Sequence, residues 1–217
     1  MTTNDNRTDF LRVIRDEVAN LTSSPLYEQR IQTGSHPVLG EGNHHAEIMF
    51  IGEAPGRNEA KQGRPFCGAA GKILDELLAS IDIPREDVYI TNIVKDRPPN
   101  NRDPLPEEIA IYGPFLDRQL AIIRPPIIAT LGRYSMGYVM ERFGLDDKIV
   151  PISNAHGSSY ATDGKEFGRR SGLSVPQNWN VTIVPLYHPA VGVYNRHTLD
   201  VLREDFKVLQ LVKHLTS

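Results

Sequence analysis

Apolar and polar residues alternate along this chain with two periods, one typical of strands and one typical of helices. Short, mostly apolar runs predict strands at residues 46–51, 87–90, 126–131 and 181–186. Longer segments with apolar residues three and four positions apart predict helices at residues 8–20, 68–81, 106–123, 133–143 and 198–215. Strands separated by helices indicate βαβ units. We therefore expect an α/β fold, a three-layer α/β/α sandwich around a central, mostly parallel four-stranded sheet.

The segments between these elements carry weaker signals. Residues 25–43 are predicted to be an irregular lead-in, and residues 149–180 are predicted to be rich in loops. Pro114 predicts a kink within the helix at 106–123. Neither an internal repeat nor a linker divides the sequence. We therefore expect residues 1–217 to form a single domain, which is an ordinary size for one core.

Polar side chains stand at the ends of three predicted strands. Glu53 follows the first strand in GEAPG, Asn92 follows the second in TNIVK, and His188 follows the last in YHP. Ligands of open parallel sheets bind beyond the carboxyl ends of the strands. The sequence therefore predicts that these three residues converge on one pocket.

Composition narrows the class of protein. Hydrophobic residues make up 40% of the chain and charged residues 24%, as in soluble globular proteins. No apolar run reaches the length of a membrane span, and the N-terminus has no apolar stretch typical of a signal peptide. We therefore expect a cytoplasmic monomer without a membrane partner. The net charge of −3 argues against a protein that coats nucleic acid nonspecifically.

Several common sites are excluded by spacing and by residue type. Cys67 is the only cysteine, which excludes an internal disulfide and an all-cysteine metal site. The histidines lack the spacing of a zinc pair. Gly71 and Lys72 are not part of a phosphate loop, because Phe66 replaces its first glycine and Ile73 its Ser or Thr. We expect neither a metal nor a cofactor.

Two long motifs and one short one carry a specific resemblance. They are GEAPGRNEAKQGRPFCGAAGKILDELL at 52–78, VYITNIVKDRPPNNRDP at 88–104 and YHPA at 187–190. Together they resemble the family-4 uracil-DNA glycosylases, from about residue 21 to the final helix. The resemblance implies a DNA repair enzyme that hydrolyses the N-glycosidic bond of uracil in DNA and leaves an abasic site. Its partner would be uracil-containing DNA.

The chain departs from this family at one feature. Most family-4 members hold a [4Fe–4S] cluster on four cysteines, and the corresponding positions here are Leu21, Ser24, Asp96 and Tyr112. Without cysteines these positions cannot hold such a cluster. We expect packing and hydrogen bonds to replace it, with Tyr112 filling part of the vacated volume.

The resemblance assigns base-binding roles to three residues. Phe66 would stack on an extruded uracil, although a phenylalanine in this setting is also typical of a core. Asn92 would donate to uracil O4 and accept from N3–H, a pattern that cytosine reverses; alternatively it shapes a turn. His188, otherwise a core histidine, would donate to uracil O2 as negative charge develops there. His156 either lies at the same mouth or is an ordinary loop histidine.

Carboxylates and amides are the candidates for orienting the water that attacks the sugar. Glu59 and Asn101 match positions tied to activity in the family, and each would orient the attacking water. Glu53 would support the turn, where backbone N–H groups of Gly52, Glu53 and Ala54 also bind the base. Each of these side chains could instead be an ordinary surface or turn residue.

Basic and apolar residues near the pocket are the candidates for DNA contact. Lys95, Arg97 and Arg102 would lie beside the pocket, and Val193 or Tyr194 would fill the gap left by the flipped base. Two other functions stay open. One is a noncatalytic protein that binds uracil or abasic sites, and the other is a small-molecule nucleotide hydrolase on a flavodoxin-like sheet. The intact set of pocket residues argues against the first, and the missing phosphate loop against the second.

Overall fold

The computed structural model describes residues 5–216, with the side chains of residues 194, 196 and 214–216 left out of the description. The strands are β1 (Glu41–Gly42), β2 (Ile48–Gly52), β3 (Tyr89–Asn92), β4 (Ile127–Leu131), β5 (Tyr160–Asp163) and β6 (Asn180–Leu186). The helices are α1 (Arg7–Ala19), α2 (Tyr27–Thr33), α3 (Arg57–Gln62), α4 (Ala69–Ala79), α5 (Pro106–Ile123), α6 (Arg133–Arg142), α7 (Ile152–Ala155), α8 (Gly164–Ser171), α9 (Ala190–Tyr194) and α10 (Arg196–Thr216).

The strands form one sheet in the order β1-β3-β2-β4-β6-β5. The four inner strands β3, β2, β4 and β6 run parallel, whereas β1 and β5 pair antiparallel at the two edges. The predicted four-stranded parallel sheet is therefore confirmed as the centre of a six-stranded sheet. The two edge strands were not predicted, because β1 has only two residues and β5 lies in the segment predicted to be loop.

Helices cover both faces of the sheet, which explains why the inner strands are apolar throughout. Met49 and Ile51 on β2 face a core built with α1, α5, α6 and α8. Ile48 and Phe50 on the same strand face a second core built with α4 and α10. Because side chains alternate between the two faces of a strand, a strand buried on both faces shows no polar alternation.

The five predicted helices are confirmed to within a few residues, and the short helices α2, α3, α7, α8 and α9 were not predicted. The lead-in at 25–43 contains α2, and the segment 149–180 contains α7 and α8. Pro114 lies inside α5, which runs as a single helix from Pro106 to Ile123. Within residues 5–216, no helix combines the length and the apolar character needed to cross a bilayer.

A buried set of polar side chains joins the lead-in to the loop after β3. The hydroxyl of Tyr112 donates to Asp96 at 2.6 Å and lies 2.7 Å from the hydroxyl of Ser24. Arg30 donates to the same carboxylate at 3.0 Å. All four residues are at most 5% exposed. Three of the four positions at which the cluster cysteines were expected, Ser24, Asp96 and Tyr112, therefore belong to one hydrogen-bonded network.

Candidate active site

One cavity of about 320 Å³ opens at the carboxyl ends of the inner strands. The polar side chains that line it are Glu53, Glu59, Asn92, Asn101, Arg102, Asp103 and His188. The predicted convergence of Glu53, Asn92 and His188 on one pocket is confirmed. Gly52 and Asn92 are register partners at the ends of β2 and β3, so the pairing of these strands sets the position of Asn92.

Asn92 presents an unpaired amide to this cavity. The residue is 2% exposed, and its side chain makes no hydrogen bond to any residue in the described range. A Cβ at Gly52 would lie 2.3 Å from the Asn92 Oδ1 atom, so only glycine leaves room for this side chain. Buried amides are normally hydrogen-bonded within the fold. An amide left free in a cavity is typical of a group that binds a ligand.

His188 is held as a neutral imidazole. The backbone N–H of Ala190 donates to its Nδ1 atom at 3.2 Å, which leaves the proton on Nε2 as the free donor. Burial lowers the pKa of His188 to about 4, because it disfavours the charged ring. At neutral pH the side chain is therefore a hydrogen-bond donor without a positive charge.

Phe66 supplies the aromatic wall beside His188. The two rings lie 5.5 Å apart between centroids with an angle of 29° between their planes. Phe66 is 6% exposed and has a φ of 47°, a left-handed conformation that a non-glycine residue adopts at a cost. A Cβ at Gly71 would lie 1.8 Å from the Phe66 carbonyl oxygen. Gly71 therefore permits the backbone approach that places this ring.

Glu59 is anchored by the start of α4. Its Oε1 atom accepts hydrogen bonds from the backbone N–H groups of Cys67 at 3.1 Å and Gly68 at 2.9 Å. Gly68 is the residue that precedes α4, so the carboxylate caps this helix. The second oxygen, Oε2, makes no hydrogen bond to a described residue and is available to a water molecule.

Glu53 is tied in a similar way to α6. Its Oε1 atom accepts from the backbone N–H of Tyr134 at 3.3 Å. Gly132, with a φ of 100°, passes so close that a Cβ there would lie 2.3 Å from this oxygen. Burial raises the pKa of Glu53, and the negative charge of Asp103 raises it further. The hydrogen bond from Tyr134 and the positive charge of Arg133 lower this pKa.

The loop at 98–104 is clamped at several points at the cavity mouth. Arg97 donates to Asn101 Oδ1 at 2.6 Å, which occupies the oxygen of that amide. Arg102 forms a paired hydrogen bond to Glu108 on α5, with distances of 2.9 and 2.6 Å. Asp103 accepts from Arg133 at 2.6 Å. These contacts hold Asn101 and Arg102 at the cavity with well-defined partners.

The profile of the uracil DNA glycosylase superfamily matches residues 39–210. The chain belongs to this superfamily. Three relatives are type-4 uracil-DNA glycosylases of similar length. That of Sulfurisphaera tokodaii is 43% identical, over 93% of this chain and 84% of the relative. That of Archaeoglobus fulgidus is 44% identical over 81% of each chain, and that of Thermotoga maritima 38% identical over 88% and 86%.

The structure corrects one predicted DNA contact of this glycosylase-like chain. Lys95 is fully buried, and its ammonium group bonds to Thr91, to the Asn92 carbonyl and to Gln119, so it cannot reach DNA. His156 bonds to Asp205 at 2.8 Å and packs on Tyr187, and it does not line the cavity. The loop-histidine interpretation of His156 is therefore the correct one.

The other residues predicted to contact DNA differ in their exposure and in their position relative to the cavity. Arg97 and Arg102 are partly exposed, and Arg102 lines the cavity mouth. Val193 is half-buried on α9, the short helix that begins two residues after His188. The side chain of Tyr194 lies outside the described residues. The DNA-contacting roles of Arg97, Arg102, Val193 and Tyr194 stay predictions.

Sequence reasoning missed the rim formed by Asp103, Arg133 and Tyr134. The Tyr134 hydroxyl donates to Asp103 at 3.1 Å, beside the Arg133 contact. The sequence held a usable signal, since Arg133 and Tyr134 follow the end of β4. The strand-end rule that pointed to Glu53, Asn92 and His188 also applies to β4.

No group of three or more metal-binding side chains occurs in the part of the chain that the structure describes. The single cysteine, Cys67, is partly exposed and does not line the cavity. Ser24, Asp96 and Tyr112 use their polar atoms on one another and on Arg30. These residues do not fit an iron–sulfur cluster, which requires thiolate ligands.

Proposed function

We propose that this protein is a DNA repair glycosylase that hydrolyses the N-glycosidic bond of uracil in DNA and leaves an abasic site. The observation that carries the proposal is the free amide of Asn92 in the same cavity as the neutral imidazole of His188. The first group suits recognition of a base, and the second suits the charge that forms when the base leaves. The type-4 glycosylase relatives support the same activity.

Base recognition depends on Asn92 and Phe66. A uracil extruded from the DNA double helix stacks on the Phe66 ring, as flipped bases do in such pockets. Asn92 donates from Nδ2 to uracil O4 and accepts at Oδ1 from N3–H. Cytosine presents an amino group and an unprotonated nitrogen at these positions, so the same amide orientation leaves both contacts mismatched. Backbone N–H groups at 52–54 are further candidates for contact with the base.

Cleavage depends on the donor of His188. As the bond between C1′ and N1 lengthens, negative charge moves onto the base and its O2 atom. The Nε2–H group of neutral His188 donates to this oxygen more strongly as the charge grows. Proton transfer from a histidine with a pKa of about 4 is not needed, because the hydrogen bond itself lowers the barrier.

Water reaches the sugar beside Glu59 and Asn101. The Oε2 atom of Glu59 is free to accept from the attacking water, since only Oε1 caps α4. Asn101 keeps its amino group available while Arg97 occupies its oxygen. Glu53 supports the GEAPG turn through its bond to Tyr134. We assign the water-orienting role to Glu59, with Asn101 as a second contact.

DNA would approach along the clamped loop. Arg102 lines the mouth with its guanidinium paired to Glu108, and Arg97 contacts Asn101 beside it; both are candidates for the phosphates on either side of the flipped nucleotide. Val193 and Tyr194 follow His188 closely enough to enter the space left by the base. The substrate and the attacking water complete the reaction without a metal, and the protein acts as a monomer in this proposal.

The test uses a labelled oligonucleotide with a single uracil, incubated with the protein and then treated with alkali. Excision gives strand scission at the uracil and free uracil in solution. The same oligonucleotide with thymine or cytosine in place of uracil is the control. Binding to the uracil strand without scission would instead favour a noncatalytic uracil-binding protein, and failure to bind or cleave would contradict both functions.

A further inference from the structure

Lys95 lies just after the end of β3, where its ammonium group contacts the backbone of Asn92. Its Nζ atom lies 2.6 Å from the carbonyl oxygen of Asn92, 2.8 Å from Thr91 Oγ1 and 2.5 Å from Gln119 Oε1. The residue has no exposed surface. A long, charged side chain is almost never fully buried unless it is paired.

The hydrogen bonds around Lys95 match an ammonium group. Nζ lies within hydrogen-bond distance of four oxygens, the three above and the Leu39 carbonyl at 3.4 Å, and an ammonium group has three N–H donors to share among them. The hydroxyl of Thr91 donates to the carbonyl of Leu39 at 2.5 Å, so its proton is directed away from Nζ. Gln119 donates to Leu39 and Tyr89, which orients its oxygen toward Lys95.

This cation has no carboxylate partner among the described residues. The groups that it bonds are neutral, and the nearby Tyr89 has a pKa raised above its usual value by burial. Burial lowers the pKa of Lys95 well below its usual value, because a charge without a counterion is costly in a protein interior, whereas a shell made only of acceptor oxygens favours the charged form. Such an arrangement is stabilised only by oriented dipoles, and it places positive charge where the interior screens it weakly.

We propose that Lys95 is a positioning residue of the reaction: it fixes the end of β3 behind Asn92, and its buried positive charge stabilises the negative charge of the departing base. This inference rests on the proposed glycosylase function. Hydrolysis breaks the C1′–N1 bond, and the electron pair leaves with the base. The water oxygen then bonds to C1′, and the proton released from water ends on the base. Lys95 touches none of these atoms and acts through Asn92 and through its field.

The first test neutralises the charge without removing Lys95. In Gln119→Glu the new carboxylate takes the place of the amide oxygen 2.5 Å from Nζ, with little change in size. We expect single-turnover excision of uracil to slow by roughly tenfold, since a charge that the protein interior screens weakly contributes on that scale. The matched control is Gln32→Glu, which makes the same substitution at an exposed position and should keep the rate of the wild type.

The second test changes the leaving group, which a purely structural role would not detect. The fluorine of 5-fluorouracil stabilises the departing anion, so its release depends less on help from the protein. We expect Gln119→Glu to slow excision of 5-fluorouracil by only about two- to threefold, against roughly tenfold for uracil. Equal losses on both bases, or a wild-type rate of uracil excision in Gln119→Glu, would overturn the inference.

A second variant covers the case in which Gln119→Glu does not fold, as judged by thermal unfolding. Lys95→Met removes the ammonium, and at a temperature where it is folded it should show the same greater loss on uracil than on 5-fluorouracil. An equal loss on the two bases would again overturn the inference. A wild-type protein that releases neither base would instead contradict the proposed function itself, so the two failures are distinguishable.

Discussion

His188 is the residue whose replacement tests the chemistry most directly. His188→Ala removes the donor to O2, and loss of one such donor typically costs about 2.7–4 kcal/mol of transition-state stabilisation. We expect single-turnover excision of uracil to fall roughly 100- to 1,000-fold. The control is His36→Ala, because His36 is exposed and does not line the cavity. A rate near that of the wild type in His188→Ala would remove this residue from the mechanism.

The pH dependence of activity follows from the same side chain. Because the pKa of His188 is lowered to about 4, the imidazole stays neutral from pH 8 down to about pH 5. We expect no activity change with a midpoint near pH 6.5, where an ordinary histidine titrates. Between pH 6.5 and 4 the unfolded chain binds a proton that the folded chain does not, so the stability due to neutral His188 is lost as the pH falls through this window. Rate and unfolding profiles over pH 4–8 test both statements.

Asn92 tests how the base is read. Asn92→Asp replaces the amide donor by an acceptor that repels uracil O4 and suits the amino group of cytosine. We expect uracil excision to fall by roughly 10⁴-fold, because a hydrogen-bond mismatch at a buried polar site gives discrimination of that order. Weak excision of cytosine should appear, measured on matched single-stranded oligonucleotides. Retention of wild-type uracil rates would show that Asn92 does not read the base.

The sequence predicted the location of a residue correctly where that location depends on neighbours in the chain, and wrongly where it depends on residues distant in the chain. The positions of Asn92 and His188 follow from local strand patterns, because the carboxyl ends of parallel strands, which the sequence locates, lie together at one edge of the sheet. Lys95 is charged and close to the pocket in sequence, which suggests a surface contact. Its burial depends on acceptors from Leu39 and Gln119, which a local pattern does not contain.

At the level of the element, α4 carries the geometry that places Phe66. In Gly71→Ala the added Cβ meets the Phe66 carbonyl at 1.8 Å, so the left-handed turn and its ring must shift. We expect lower stability and a loss of uracil excision. Gly137→Ala on α6 is the matched control, since no atom lies within 4 Å of its added Cβ. This second change should stabilise the protein by about 0.5–1 kcal/mol. Thermal unfolding and excision rates of both variants decide the matter.

Whole elements were predicted wherever their own sequence carries the pattern. The four inner strands are apolar throughout because both faces are covered, and α5 and α10 have clear helical stripes. The edge strands β1 and β5 are partly exposed and short, so their sequences show neither a continuous apolar run nor a helical stripe. Their positions depend on pairing with β3 and β6, which only the folded chain supplies.

At the scale of the whole molecule, the network around Tyr112 ties the N-terminal segment to the parallel sheet. Tyr112→Phe removes one donor from Asp96 and one partner from Ser24. We expect the free energy of unfolding to fall by about 1–3 kcal/mol, because buried polar groups lose a hydrogen bond. Tyr160→Phe is the control: its hydroxyl makes no hydrogen bond to a described residue, so its removal should change little. Denaturant unfolding of the two variants makes the comparison.

The same network predicts the metal content of the whole protein. With a single cysteine and with Ser24, Asp96 and Tyr112 bonded to one another, the purified protein should be colourless and free of stoichiometric iron. A chelator should leave uracil excision unchanged. Iron near four atoms per chain, with a visible charge-transfer band, would contradict this prediction. That Tyr112 fills part of the volume expected for a cluster stays a prediction.

The short antiparallel strands at the two edges of the sheet bear on how the protein behaves in a crowded solution. A long, flat edge strand exposes a row of free backbone groups on which another chain can add a strand. Here one edge is the two-residue β1 and the other the four-residue β5, so neither offers a long template. The four apolar inner strands, the segments most prone to fibril formation if exposed, lie between them. Concentrated samples should therefore resist ordered aggregation for as long as both edge strands stay paired.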